Sequence, residues 1–390
     1  MKKIMILIIL FWVQNKTIIL SQRCVSYIPS ENASKTIHQL ASRNGTIEIP
    51  IVFHIVYQAG QDSVSNAKIY SQLEILNNIY GYYNPINNLS IPEEFRNKGA
   101  IPGIHFCLAK TDPFGQITTG INRMKTDVDD IGCRGYDIMK KQTGGIDIWN
   151  TKKYLNVYIG SRKHCPFAMS SFPWDNDSLI DGIIIDPKYI GSAPKSYPFH
   201  LGYTLVHEIG HYFGLNHLSI SKKKDDCTTD DGVTDTPTQS FNYYNCPEYP
   251  QYSCDQSSMF MNFMSLVDDG CMQLFTKGQV DRLNAMMVQY RSELISISCN
   301  EVLANDIVVY PLANQSGQWY IHSQNFGEWT GTVQLYDLTG KQIASTSVIQ
   351  SVGILFPKYT VPMPTGIYFI NIRSNQFNVT KKIYHLQYEN

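Results

Sequence analysis

The chain has 390 residues, 43% hydrophobic and 17% charged, with a formal net charge of -1. That length supplies two to three domains, and the composition argues against a disordered chain. The near-neutral charge and the lack of a basic cluster argue against a nucleic-acid partner.

Lys2 and Lys3 precede an apolar run from Ile4 to Val13, too short for the roughly 20 residues that span a bilayer. This pattern predicts a secretory signal peptide over residues 1–21, and no other stretch predicts a transmembrane segment. Export makes disulfides plausible, and the nine cysteines leave one over. Residues 22–46 are polar and aperiodic, as a pro-segment or linker would be.

The run Ile47–Tyr57 is apolar and β-branched, which predicts a buried strand. Ile69, Leu73, Leu76, Ile79, Tyr80 and Tyr83 recur at helical spacing and predict a helix over 65–83. Short strands are expected at 104–110, 154–159 and 182–186. One helix is expected from near Pro198 through His211. Another, capped by Thr276, should cover 278–291 with Val280, Leu283, Met286 and Met287 inward. This mixture of strands and helices over 47–298 predicts an α/β or α+β domain, α+β being the reading taken here. From 299 to 390 the pattern changes to strand runs separated by turns, at 307–310, 319–322, 333–336, 343–346, 367–372 and 378–385. These predict a small all-β sandwich.

The segment His207-Glu208-Ile209-Gly210-His211-Tyr212-Phe213-Gly214-Leu215-Asn216-His217 carries the chemistry. His207 and His211 are four apart, so a helix presents both imidazoles on one face. Gly214 lies where the helix must stop, and a left-handed glycine there would swing His217 back as a third ligand. Three neutral nitrogens with one open position describe a catalytic zinc site. Glu208 then stands as general base for zinc-activated water.

With these residues the chain resembles a metzincin metallopeptidase, and more closely the pappalysin-like (cytophagalysin) family. The likeness covers roughly 47–295: IEIPIVFHIVY, IHFCLAKTDPFGQITTGINR and DGIIIDPKYIG before TLVHEIGHYFGLNH, then DDGVTDTPTQ, MNFM and DDGCMQLFTKGQ. It implies a metzincin-type catalytic domain acting on protein or peptide substrates. It also implies that Met264 packs beneath the zinc as the Met-turn residue, and that Cys227 pairs with Cys254 and Cys246 with Cys271. By the same likeness Asp231 and Thr236 belong to a structural calcium loop, which a glycine-bearing acidic turn suits. Cys107, Cys133, Cys165 and Cys299 stay unassigned.

The sequence departs from the family pattern twice. Leu266 occupies the position, two after Met264, where relatives often carry a tyrosine that steadies the tetrahedral intermediate. Gly270, directly before Cys271, replaces the acidic group by which relatives favour a basic residue after the scissile bond. Cys24, in SQRC, resembles a latency cysteine that would occupy the zinc in the precursor, and Arg43 is one candidate activation site. The tail motifs VQLYDLTGKQI, PTGIYFINI and KKIYHL resemble the sorting domain of type IX secretion substrates. That implies outer-membrane export by the type IX machinery to the medium or the cell surface. The leading reading is therefore a secreted zinc endopeptidase. A weakly catalytic binding or adhesion protein on the same scaffold is the alternative, and Leu266 is its only clue.

Overall fold

The structure is a computed structural model. It describes residues 47–390 except 60–62, 176, 193–197, 221–224, 298, 300–306, 312–317, 324–328, 352, 358–362, 375–377 and 386–390. The expected signal peptide (1–21) and pro-segment (22–46), with Cys24 and Arg43, lie outside the described residues. The chain divides into two compact units, 1–64 with 72–298, and 65–71 with 299–390.

Strand β1 (Ile47–Tyr57) organises the first unit. Its N-terminal half pairs in parallel with β2 (Ile104–Leu108), and its C-terminal half with β3 (Ile121–Lys125). On its other side it pairs in parallel with β4 (Leu155–Ile159), which pairs with β6 (Ile183–Ile185). The three-residue strand β5 (Ala168–Ser170) closes the sheet as an antiparallel edge against β6. Both faces of β1 are covered, which is why it reads as a continuous apolar run rather than an alternating one.

One buried polar residue interrupts that run. His54 is fully buried, and its ring bonds Asn156 Oδ1 at 3.0 Å and Asn122 Nδ2 at 3.2 Å, tying β1 to β4 and β3. Burial pushes its pKa down to about 4, against the Asn156 bond, so it is a neutral cross-strand link at ordinary pH.

Helix α1 (Asn66–Asn77) ends in a π-helical stretch, Asn78–Tyr82, so the predicted helix over 65–83 is correct in kind and changes pitch near its end. Helix α2 spans Tyr203–Tyr212, five residues later than the expected start at Pro198. The reason is local: Gly202 has φ +72°, outside helical geometry. Helix α3 (Lys277–Tyr290) begins at Thr276, whose hydroxyl accepts from the Gln279 amide while the Gln279 side chain accepts from the Thr276 amide.

Disulfides join Cys133 to Cys165, Cys227 to Cys254 and Cys246 to Cys271, with Cα–Cα distances of 5.5–5.7 Å. Cys107 and Cys299 are also disulfide-bonded. No helix among the described residues is long and apolar enough to cross a membrane.

Among the described residues, every strand pair of the second unit is antiparallel. A three-stranded sheet orders β7 (Ile307–Pro311), β8 (Trp319–Ser323) and β11 (Gly353–Phe356). A four-stranded sheet orders β10 (Gln342–Ser351), β9 (Trp329–Tyr336), β12 (Gly366–Ser374) and β13 (Asn378–His385). Trp319, Ile321 and Phe356 from the first meet Val333, Leu335, Ile370 and Ile372 from the second in one core, the β-sandwich the turn spacing predicts.

Candidate metal centre

Helix α2 is buried along almost its whole length, and its residues His207 and His211 share a face. It ends in a double hydrogen bond of known type. The Leu215 amide donates to the Gly210 carbonyl and the Gly214 amide to the His211 carbonyl, both at 2.8 Å, with Gly214 at φ +94°. A side chain at Gly214 is doubly disfavoured, since its Cβ would stand 2.7 Å from Met286 Cγ. This turn carries the chain directly to His217.

The result is three buried imidazoles aimed at one point. Nε2 of His207 lies 2.9 Å from Nε2 of His217, and Nε2 of His211 lies 3.1 Å from each of the other two. Among the described residues these three form the sole group of His, Cys, Asp or Glu spaced to hold a metal ion.

The outer ring nitrogens decide what the inner ones are. Nδ1 of His207 contacts the Phe263 carbonyl at 2.8 Å, and Nδ1 of His211 contacts the Leu215 carbonyl at 2.7 Å. A carbonyl only accepts, so both Nδ1 atoms carry the proton and both Nε2 atoms present lone pairs. Two lone pairs 3.1 Å apart repel unless a cation sits between them. Burial pushes His211 down to about 4, against the Leu215 bond, so it is neutral and ready to ligate near neutral pH. The donor set therefore fits a divalent ion that accepts imidazole nitrogen.

Glu208, next to His207 and fully buried, belongs to the same turn of α2. Met264 is fully buried too, and its Sδ is 2.4 Å from where a Gly210 Cβ would stand. Only glycine at 210 lets this methionine lie against the helix that carries the histidines. The Met264 segment is itself tethered. Its amide donates to Asn262 Oδ1 at 2.9 Å, and the Asn262 and Gln279 amides exchange two bonds at 2.8 and 3.0 Å.

Leu266 is a buried aliphatic side chain, so no hydroxyl stands at that position. At Gly270 an added Cβ would meet nothing within 4 Å. The neighbouring Asp269 carboxylate accepts from the Leu201 and Tyr203 amides, at 2.8 and 3.4 Å, where α2 begins. Asp231 is buried, and its Oδ1 accepts from the Thr236 hydroxyl at 2.8 Å and the Val233 amide at 3.1 Å. Burial pushes that carboxyl up to about 7, against those two bonds.

Sequence reasoning does not find the Phe263 carbonyl, Arg282 or Asp269. A backbone carbonyl has no residue signature. Arg282 did leave one, because it follows Gln279 by three and precedes Met286 by four, on the inward stripe of α3.

A mixed sheet, a buried metal helix, a left-handed turn and an underlying methionine define a metal-dependent endopeptidase, followed here by a separate β-sandwich. Comparisons with known proteins agree. Residues 139–288 match the peptidase family described as pregnancy-associated plasma protein-A, and residues 308–385 match the secretion system C-terminal sorting domain. Mature mirolysin of Tannerella forsythia, solved in complex with a cleaved peptide, is 31% identical with a TM-score of 0.60. That match covers 65% of this chain and 96% of the mirolysin chain. An extracellular metalloprotease of Uncinocarpus reesii is 28% identical over 265 residues, 65% of this chain and 81% of that protein. Another, of Arthroderma otae, is 32% identical over 180 residues, 40% of this chain and 63% of that protein. The chain belongs to the pappalysin-like family of metalloendopeptidases and carries a type IX sorting tail, which directs it to the outside or the surface of the cell.

Proposed function

We propose that this protein is a zinc-dependent endopeptidase that hydrolyses peptide bonds in proteins outside the cell, with His207, His211 and His217 as the zinc ligands and Glu208 as the general base. The observation that carries this reading is the convergence of three Nε2 atoms within 2.9–3.1 Å, two of them fixed as lone-pair donors. When bound there, zinc would lower the pKa of a water toward about 7 and polarise the scissile carbonyl.

The chain supplies the rest. Glu208 takes the proton from the attacking water and delivers it to the leaving nitrogen, so one carboxylate serves as base and then acid. The Phe263 carbonyl and the Met264 side chain hold the helix and its first histidine in place. Strand β5, the edge of the sheet, packs against α2, and an extended peptide can add to such an edge by main-chain hydrogen bonds. A structural calcium at Asp231 and Thr236 remains part of the reading on family likeness. A cation there would favour the charged form of a carboxyl that burial now disfavours.

A mass-mapped peptide library tests the activity. Purified protein should cut internal bonds, and a zinc chelator should stop the cutting. With Asp269 engaged at the start of α2 and Gly270 bare, the cuts should not be confined to bonds preceding Lys or Arg. Cleavage that persists in chelator, or none at all from metal-loaded protein, would count against the reading.

A further inference from the structure

Helix α3 reaches the metal centre through a buried cation that the chemistry above does not use. Arg282 is only 4% exposed, and its Nε donates to the Gly214 carbonyl at 2.7 Å. Gly214 is the residue at which the chain leaves α2, three positions before His217. Met286, one turn further along α3, occupies the space a Gly214 side chain would need. Asp231 and Asp230 lie close enough to stabilise the guanidinium charge. From the far side, Asn216 Nδ2 donates to the Asp231 carbonyl at 3.2 Å. The three residues that deliver His217, Gly214 to Asn216, are thus held at Gly214 by Arg282 and at Asn216 by the Asp231 loop.

A guanidinium is costly to bury, and a neutral side chain of the same length would fill this space without that cost. What an apolar side chain cannot do is fix the Gly214 peptide plane. That plane sets the direction in which the chain departs: its amide end, Leu215 N–H, is held by the Gly210 carbonyl at 2.8 Å, and its carbonyl end, at Gly214, is held by Arg282.

We infer that Arg282 is a positioning residue for the metal centre, holding the Gly214 carbonyl so that the His217 imidazole arrives in register with His207 and His211. The inference rests on the reading of those three histidines as metal ligands. The role is distinct from ligation, since Arg282 touches the backbone of the turn and not the ion.

The test is a cycle of zinc affinities, measured by competition with a chromophoric chelator, with circular dichroism and melting of the metal-free protein alongside. Arg282→Gln should weaken zinc binding by about 10–100-fold in the otherwise native protein, as loss of a ligand-orienting contact does. In a His217→Ala background the same substitution should leave zinc affinity unchanged, because the ligand it orients is gone. Arg282→Lys, which keeps the charge and one donor, should fall between Gln and the native residue, and it carries the test if Arg282→Gln does not fold. An equal loss in both backgrounds would make Arg282 a general stabiliser and overturn the inference, as would no loss in a folded Arg282→Gln or Arg282→Lys protein. Unchanged affinity in His217→Ala alone would overturn the ligand assignment itself, so the two failures are distinguishable.

Discussion

Glu208→Gln should reduce the turnover of a peptide substrate by about 10²–10⁴-fold, the range a positioned general base contributes. The substitution removes the basic oxygen while keeping shape and hydrogen-bonding capacity. Because Glu208 adjoins the metal-binding face of α2 without being among the three converging residues, zinc content should stay at the native level. KM should change little, since proton transfer acts on the barrier and not on ground-state binding. Steady-state kinetics with elemental analysis of the same sample reads all three quantities. Retained turnover would remove Glu208 from the mechanism, and lost zinc would make it a ligand.

The second large effect concerns the far end of α2. Arg291 Nη2 bonds Asp181 Oδ1 at 2.7 Å, and Arg291 Nη1 bonds Asp181 Oδ2. The side chains are 7% and 10% exposed, so this is a buried ion pair. The guanidinium also lies 3.8 Å over the ring of Tyr212, the last residue of α2, and Ser171 Oγ donates to Asp181 at 2.8 Å. Asp181→Ala leaves a charge buried without its counter-ion, and should destabilise the fold by about 3–5 kcal/mol. Replacing both partners by apolar residues, as in Asp181→Leu with Arg291→Met, should recover most of that loss, because no orphaned charge remains. Urea unfolding midpoints of the single and double variants measure the difference. A single-variant loss below about 1 kcal/mol would show that solvent reaches the pair and screens it.

These predictions concern residues of unequal visibility in the sequence. The three histidines and Glu208 fall within eleven residues, on one helical turn and the turn that follows, so their spacing alone carries the geometry. β1 is legible for a similar reason, since a strand buried on both faces is a continuous β-branched run. Strand β3, with the sequence INRMK, is half exposed and lacks any apolar run, so periodicity misses it. Strand β5 has three residues, too few for any pattern, although it forms the edge of the sheet beside α2. The start of α2 differs from the expected Pro198 because its limit is Gly202, whose conformation no pattern reports, together with the Asp269 contacts from 66 residues away. In the same way the contacts that orient the histidines come from Phe263 and Arg282, which are remote in sequence and acquire meaning only once the chain has folded.

Zinc titration of metal-stripped protein tests the central claim most directly, with peptide cleavage followed at each addition. The account predicts no cleavage in the stripped protein, a linear rise, and a plateau at one equivalent per chain, with no rise in a His211→Ala variant. Cleavage without added metal, or a rise that the His211→Ala variant shares, would contradict it.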